Sequence, residues 1–388
     1  MCWGGGIGPA TSSLQSESKE KHMTCETTRA GLQYRDYQNR VVDKTVGFFE
    51  DGNDSVLIES PTGSGKSVMG LRVAKFYEEQ YGWRCNWVAM RRNLLSQISE
   101  MNDRFFGLKN LQPVSMFDKN PPEAELLISD EAQHDAATSC VHIHASTGAK
   151  RVLGLSATPF RTDKLKLAFR KTVKDAGIHR LIQEGWLSPY QHFVTREFTP
   201  EHMAHTYLNS PDKWGKTVVF FHTIADCHEF SMRLQAGGVR CEVVSGHTSF
   251  REREDQLAAF ENDEYSVVAN VAILTEGFDC PDLSTVFVRD ASRLPTVQMG
   301  GRGFRLAEGK SHCNIVQSRN SKWQFTKTAK PQDCYVERDG EWYCLGDSEI
   351  VEEVAEASVR QIATIETVMP DFIKQANKKR RRRRWGND

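Results

Sequence analysis

Residues 60–67 form a glycine-rich loop whose residue types suit a bound polyphosphate. They read SPTGSGKS, follow a short apolar run and precede a segment with helical spacing. Gly63 and Gly65 let backbone N–H groups turn inward around phosphate, where any side chain would collide. Lys66 can reach the β- and γ-phosphates, and the Ser67 hydroxyl can ligate Mg2+. The loop predicts nucleotide binding, with a Gly/Ser turn that happens to carry a lysine as the alternative. Its candidate residues are Thr62, Gly63, Ser64, Gly65, Lys66 and Ser67.

An Asp-Glu pair stands at the end of a later apolar strand. The strand is predicted at 125–129, and Asp130 and Glu131 follow it directly. In this Walker B arrangement Asp130 would hold Mg2+ beside Ser67, and Glu131 could polarise the attacking water as general base. Acidic pairs at strand ends are common, but a phosphate-binding loop upstream favours nucleotide hydrolysis at this pair. The predicted metal ligands are Ser67 and Asp130.

Polar residues also occupy other strand and helix ends. Gln38 stands at a helix start upstream of the loop, and its amide can match the N6 and N7 edge of adenine. Arg91 and Arg92 follow a predicted strand and could meet a nucleic-acid backbone. The hydroxyls of Ser156 and Thr158 could hydrogen-bond the carboxylates of the preceding strand end and relay the state of the nucleotide. The alternatives are an exposed glutamine, solvated arginines and a plain Ser/Thr-Pro turn.

Two clusters in the second half of the chain carry charged residues with glycine neighbours. One is 275–279, TEGFD, and the other is 298–305, QMGGRGFR. Arg302 and Arg305 are three residues apart, so they share a face on a helix. An arginine against a transferring γ-phosphoryl group, the arginine-finger role, can raise the rate ~10^3-fold or more. If both clusters face the phosphate-binding loop, the nucleotide lies in a cleft between two domains.

The elements that must position these residues are strand-like runs that alternate with helical patterns in both halves of the chain. Such alternation predicts an α/β fold with a parallel, doubly wound sheet in each half. A helical period at 349–374 predicts a short α-rich C-terminal extension. The predicted divisions are a disordered leader at 1–28, a first domain at 29–187, a second domain at 188–317, the extension at 318–377 and a basic tail at 378–388.

The composition is that of a soluble globular chain, since 39% of its 388 residues are hydrophobic and 26% are charged. No apolar run approaches the ~18 residues of a membrane span, and no signal peptide is recognisable. Ten cysteines without a C-x-x-C pair favour a reducing, intracellular setting. With a formal net charge of −1, nucleic-acid affinity must come from a local basic surface. The cationic run 378–384 and Trp385 could supply it, with a solubilising tail or nuclear import as alternatives.

Taken together, these stretches resemble the motif set of superfamily 2 helicases of the DEAD/DEAH-box kind. The motifs follow in the expected order and spacing over 32–316: LQYRDYQ, SPTGSGKS, the Arg-Arg strand end, SDEAQH, LSATP, VVFFHT, LTEGFD and QMGGRGFR. The run 270–305, with Gly309 and Lys310 after it, most resembles the RadD-type DNA helicases of bacteria and phages.

The resemblance implies two RecA-like domains in tandem, an ATP site between them and a nucleic-acid strand bound across both. Residues implied to bind ATP are Gln38 at the adenine, the loop residues named above, and Gly277, Asp279 and Gln298 in the second domain. Residues implied in catalysis are Lys66, Asp130, Glu131, Arg302 and Arg305. Residues implied to couple hydrolysis to movement are Gln133, His134, Ser156, Thr158 and Glu276. The implied nucleic-acid contacts are Arg91, Arg92 and Thr223.

Two positions depart from the usual motifs. Ser60 replaces the first glycine of the P-loop pattern, at a place where helicases often have another small residue. Gln133 occupies the position where these families carry Asp or His, and this departure concerns the coupling step rather than hydrolysis itself. His134 could substitute for it in part.

The sequence therefore predicts an intracellular, ATP-dependent helicase or translocase that uses ATP and Mg2+ and acts on DNA rather than RNA. A DEAD-box-like RNA helicase is the alternative within the class. The alternative of another class is a non-catalytic nucleic-acid-binding subunit for which ATP serves only as a switch.

Overall fold

The computed structural model describes residues 31–134, 138–157, 167–275 and 278–346, which form two α/β units, each built on its own sheet. The predicted leader, the helical pattern at 349–374 and the basic tail lie outside the described residues. Within the described ranges no helix is both long and apolar enough to cross a membrane.

The first unit is a six-stranded parallel sheet covered by helices. Its elements are α1 (Asp36–Glu50), β1 (Ser55–Glu59), α2 (Lys66–Tyr81), β2 (Cys85–Ala89), α3 (Arg92–Met101), β3 (Leu111–Ser115), β4 (Leu126–Asp130), α4 (Thr138–Thr147), β5 (Arg151–Ser156) and β6 (Lys171–Val173). The strands lie in the order β3-β2-β4-β5-β1-β6, and every pairing is parallel. Because helices cover both faces of such a sheet, the central strands read as continuous apolar runs.

Helix α2 lies close against this sheet. A Cβ atom at Gly70 would come within 2.7 Å of the Trp87 ring, so glycine is required for the helix to approach β2. Leu71 and Val73, on the same helix, are fully buried in the core of this unit. The packing holds the amino end of α2 at the carboxyl edge of the sheet, where ligands bind in parallel α/β folds.

The second unit is an eight-stranded sheet. Its elements are α5 (Ile178–Gln183), β7 (Tyr190–Thr195), α6 (Pro200–Leu208), α7 (Pro211–Trp214), β8 (Thr217–Phe220), α8 (Ile224–Ala236), β9 (Cys241–Val244), α9 (Phe250–Glu261), β10 (Val267–Asn270), β11 (Thr285–Phe287), α10 (Arg293–Gly300), β12 (Cys313–Ser318), β13 (Asp333–Arg338) and β14 (Glu341–Cys344). The order is β14-β13-β7-β12-β11-β8-β10-β9, and the pairings are parallel except between β13 and β14. Two parallel α/β units confirm the predicted fold class.

The described part of the C-terminal extension contains a β-hairpin, and the stretch for which helix is predicted, 349–374, lies outside the described residues. The hairpin strands β13 and β14 add to the second sheet beside β7. Tyr335 stacks on Phe193 with ring centroids 4.7 Å apart, and Trp342 packs edge-on against the same ring. The aromatic residues of this stretch therefore serve to extend the second core. The predicted domain boundaries stay predictions, although Leu181 of α5 is buried in the same cluster as the second sheet.

Candidate functional site

The glycine-rich loop joins the end of β1 to the start of α2. Gly63 and Gly65 both have φ of 79°, in the left-handed region that favours glycine. A Cβ atom at Gly65 would lie 2.5 Å from the side-chain nitrogen of Gln38, so another residue there would displace this amide and would also be strained by the positive φ. Lys66 begins α2, and its ammonium lies 3.5 Å from the carbonyl oxygen of Pro61. The loop has the backbone shape of a phosphate cradle at a helix amino terminus.

The serine at the first position of the loop has a structural role. The Ser60 hydroxyl donates to the Ser64 hydroxyl at 2.7 Å, and Ser64 donates in turn to the Pro61 carbonyl at 2.6 Å. Both serines are buried. Ser60 thus stabilises the loop through a hydrogen bond inside it. The hydroxyl of Ser64, a predicted nucleotide-binding residue, points into the loop itself.

Gln38 contacts the loop rather than standing apart from it. Its amide nitrogen donates to the Ser64 carbonyl at 3.0 Å, and its amide oxygen accepts from the Arg35 backbone at 3.1 Å. The Tyr37 hydroxyl donates to the same Ser64 carbonyl. The Arg35 guanidinium lies over the Trp186 ring, 5.3 Å from its centroid. Sequence reasoning missed these neighbours, although Arg35 and Tyr37 stand beside Gln38 in the chain; adenine recognition by Gln38 stays a prediction.

The acidic pair lies at the carboxyl end of β4. The Asp130 carboxylate accepts from the Glu131 backbone N–H at 3.0 Å, and Glu131 has a φ of 52°, which is strained for a residue with a side chain. Desolvation and the Glu131 carboxylate raise the pKa of Asp130 to about 7, while the Lys66 ammonium opposes that rise. The Asp130 carboxylate is thus removed from water and lies beside a second carboxylate, with the Lys66 ammonium as the neighbouring positive charge.

Gln133 links the acidic pair to the next strand. Its amide nitrogen donates to the Glu131 carboxylate at 2.8 Å, and its amide oxygen accepts from the Ser156 hydroxyl at 2.6 Å. Gln133 and Ser156 are both buried. Only a side chain with both a donor and an acceptor can make this connection, which gives a physical reason for an amide here. Thr158 and the side chain of His134 lie outside the described residues.

The second unit reaches the loop from the far side of a cleft. Arg305 lies next to Gly63, since its Cγ is 3.7 Å from the place of a Cβ there, and its guanidinium pairs with the Asp279 carboxylate. A Cβ at Gly301 would lie 3.2 Å from the Thr62 side chain. The cleft thus brings the P-loop and the QMGGRGFR segment together, with Gln298 in α10 just before it.

The two arginines do not share one helix face, which corrects the expectation from their spacing. Helix α10 ends at Gly300, Arg302 lies in a 3-10 turn, and Arg305 follows in extended backbone. The buried Arg302 guanidinium donates to the carbonyl of Phe278 at 2.9 Å and to that of Thr275. Arg302 therefore holds the backbone at Thr275 and Phe278, while Arg305 lies beside the P-loop. Glu276 and Gly277 lie outside the described residues.

Apart from the cleft at the P-loop, a cavity of about 380 Å³ opens between the units on the side of Arg91. The Arg91 guanidinium donates to the Ile273 carbonyl at 2.6 Å and so joins the two units, while Arg92 is exposed. Thr223 caps α8 through a hydrogen bond to the Asp226 backbone. Sequence reasoning missed the residues after β9 that line this cavity, although a glycine among polar residues at a strand end was a usable signal. They are Ser245, Gly246 and His247.

An exposed aromatic residue stands at the same sheet edge. Strands β2 and β3 pair in register up to Ala89 and Ser115, so Arg91 and Phe117 lie two residues beyond neighbouring strand ends. Phe117 is 62% exposed. Its turn is fixed, because the Phe117 backbone donates to the Ser115 hydroxyl at 3.3 Å.

Comparison with known proteins places this geometry in a family. Residues 31–121 match the family described as "Type III restriction enzyme, res subunit", and residues 200–307 match "Helicase conserved C-terminal domain". The "Putative ATP-dependent helicase IRC3" of Saccharomyces cerevisiae is 26% identical over 349 residues, which cover 73% of this chain and 51% of that protein. The chain thus spans about half the length of this relative.

Two solved structures share the fold. The ATP-dependent Type ISP restriction-modification enzyme LlaBIII bound to DNA aligns with a TM-score of 0.58 at 15% identity, covering 80% of this chain and 28% of that one. A variant of S. cerevisiae Dbp5 bound to RNA and ADP BeF3 aligns with a TM-score of 0.56 at 12% identity, covering 85% and 98%. The closer resemblance to RadD-type helicases stays a prediction. Tandem RecA-like sheets, family matches in both halves of the chain and the motifs along one cleft together support a superfamily 2 helicase.

Proposed function

We propose that this chain is an ATP-dependent DNA helicase or translocase that hydrolyses ATP in the cleft between its two sheets. The observation that carries the proposal is the approach of Arg305, from the second unit, to Gly63 of the P-loop. The site is complete only when both units are together, so turnover is coupled to their relative movement. The names of the IRC3 relative and of LlaBIII bound to DNA support ATP use and DNA as the substrate class.

The residues of the cleft fit a nucleotide and its divalent cation. The left-handed glycines leave room for phosphate along the loop backbone. Asp130 is buried beside the Glu131 carboxylate, and a bound cation would stabilise its ionised form. The second carboxylate oxygen of Asp279 is buried without a hydrogen-bond partner among the described residues, so it can accept from the nucleotide. Ser67 and Asp130 would hold Mg2+, which supplies charge neutralisation for the phosphates.

The protein groups then divide the work of hydrolysis. Lys66 would bind the β- and γ-phosphates from the start of α2, where the helix dipole also favours anions. Glu131 would take the proton of the attacking water. Arg305 would leave Asp279 and stabilise the charge that develops on the transferred phosphoryl group.

Through its two hydrogen bonds, Gln133 would couple a change in the position of Glu131 during hydrolysis to Ser156 on the next strand. We expect Gln133→Ala to lower nucleic-acid-stimulated turnover about tenfold or more, because a hydrogen bond that holds a charged group contributes ~1.5–3 kcal/mol. ATP affinity should change little. Steady-state phosphate release together with binding of a fluorescent ATP analogue measures both effects.

Ser156→Ala is the second variant of a double-mutant comparison that tests this prediction. Ser156 and Glu131 are joined through one amide, so the double variant Gln133→Ala with Ser156→Ala should be no slower than Gln133→Ala alone. If the fold-losses of ATP turnover in the two single variants multiply in the double variant, the two side chains act separately and the proposed relay is wrong.

A single strand of nucleic acid would bind across the sheet edge that carries Arg92 and Phe117. A cationic groove with aromatic side chains is the usual design for single strands, because every base has a face that can stack. We expect Phe117→Ala to weaken binding of a single-stranded oligonucleotide about tenfold, while the dependence of affinity on salt stays unchanged. Arg92→Ala should instead flatten the slope of log affinity against log salt by about 0.7 for each phosphate group that the protein no longer neutralises.

Fluorescence anisotropy at several salt concentrations separates these two outcomes. Tyr343→Ala is the control, since Tyr343 is 40% exposed on the hairpin strand β14 and carries the same kind of side chain away from this edge. If Phe117→Ala binds as tightly as Tyr343→Ala, the aromatic contact is absent.

The decisive experiment compares ATP hydrolysis in the presence of single-stranded DNA, duplex DNA and RNA. Greater stimulation by DNA supports the proposal, whereas stimulation by RNA alone supports an RNA helicase, which the fold shared with RNA-bound Dbp5 keeps as the second candidate. ATP binding without phosphate release would indicate a switch subunit. An intracellular setting stays a prediction, in agreement with the free thiols of the described cysteine side chains.

A further inference from the structure

A tight turn follows the arginine segment and brings Lys310 back towards it. The Lys310 backbone donates to the Ala307 carbonyl at 3.2 Å, and Gly309 has a φ of 77°. A side chain at Gly309 would be strained in this left-handed conformation. Gly309 and Lys310 thus act as a unit, because the glycine allows the reversal that aims the lysine at the preceding residues.

The Lys310 ammonium bonds three backbone carbonyls at once. It donates to Gly303 at 2.7 Å, to Arg305 at 3.0 Å and to Pro281 at 3.0 Å. An ammonium has three donors, so its capacity is fully used. The first carbonyl lies in the 3-10 turn and the second belongs to Arg305, which directly follows it, so both are at the end of a helical turn, where backbone acceptors lack helical partners. Lys310 is partly buried, and burial lowers the pKa of its ammonium.

The third carbonyl ties this turn to the segment that pairs with Arg305. Pro281 lies two residues after Asp279, whose carboxylate binds the Arg305 guanidinium. One ammonium therefore fixes the backbone beneath Arg305 and the backbone beside its carboxylate partner. A guanidinium on a long side chain reaches a phosphoryl group reproducibly only if its own backbone is held in place.

We propose that Lys310 is a positioning residue that sets the backbone of Arg305 at the cleft, so that the guanidinium can move between Asp279 and the nucleotide. The inference rests on the proposed ATPase function. A displacement of 1 Å at such a group can cost about 10^2-fold in rate, while ground-state binding of ATP through the P-loop does not depend on it.

The test replaces Lys310 by a side chain of similar length that cannot donate. For Lys310→Met we expect kcat to fall tenfold or more, with the Kd of a fluorescent ATP analogue within about twofold of wild type. Lys330→Met, an exposed lysine of the same unit, should match wild type in both. In an Arg305→Ala background, Lys310→Met should cause no further loss, because the residue acts through Arg305.

Unchanged kcat, or a loss that multiplies with that of Arg305→Ala, would overturn the inference. If Lys310→Met does not fold, Lys310→Gln is measured in the same way; it keeps two N–H donors and loses the charge, so we expect a smaller fall in kcat, an unchanged Kd and again no further loss in the Arg305→Ala background. A wild-type chain without phosphate release would instead overturn the proposed function, so the two failures are distinguishable.

Discussion

Glu131→Gln is expected to abolish multiple turnovers of ATP, with a fall of about 10^2 to 10^4 in kcat, while ATP still binds. The amide cannot accept the proton of the attacking water. It can still accept the hydrogen bond that the Gln133 amide donates at 2.8 Å, so the link to Ser156 keeps its geometry. The backbone at this position, with φ of 52°, is not changed by the substitution.

Phosphate release under saturating DNA and equilibrium binding of a fluorescent ATP analogue are the measurements. Glu123→Gln is the matched control, because Glu123 is an exposed glutamate of the same unit whose side chain is 80% accessible. Turnover of Glu131→Gln at the wild-type rate would remove Glu131 from the role of general base. Loss of ATP binding together with turnover would mean that the carboxylate holds the nucleotide rather than activates water.

The sequence indicates where the candidate residues of the first unit lie, because the elements that carry them are local. Lys66 comes after β1 and the glycine-rich loop, and Asp130 is the last residue of β4, so residue order alone indicates which edge of the sheet they occupy. The alternation of strands and helices likewise predicts two parallel sheets, and the structure confirms them.

Elements at the sheet margins are harder to predict from sequence. Strand β3 reads LQPVS and is an edge strand, where Pro113 is tolerated and the apolar pattern is weak. The hairpin β13–β14 depends on aromatic packing against Phe193, far away in the chain. Neither pattern carries the period that identifies a buried strand.

The roles of side chains with distant partners also escape sequence reasoning. Gln133 looks like a departure from the family, yet its amide satisfies Glu131 and Ser156 at once. Arg302 and Arg305 are the same residue type three positions apart. Because α10 ends at Gly300, Arg302 lies in a 3-10 turn and holds backbone carbonyls, whereas Arg305 lies in extended backbone beside the P-loop. These differences arise from where the backbone turns, which the residue types do not specify.

Arg305→Ala is expected to lower ATP turnover roughly 10^3-fold or more, the range measured for arginine fingers, with little change in ATP affinity. Arg305 is the arginine that lies beside Gly63, and its side chain is one-third exposed in the cleft. Arg319→Ala, at an exposed arginine of the same unit, is the control and should behave as wild type. Single-turnover phosphate release with and without DNA measures the loss.

Arg302→Ala should lower the stability of the protein more than Arg305→Ala does, and its ATP turnover less. Its buried guanidinium donates to the carbonyls of Thr275 and Phe278, so its removal leaves buried acceptors without partners and lowers the melting temperature more than Arg305→Ala does. Its effect on turnover should be smaller, because Arg302 holds the backbone at Thr275 and Phe278 rather than contacting phosphate. If Arg302→Ala proves the slower enzyme and Arg305→Ala the less stable one, the assignment of the two arginines must be exchanged.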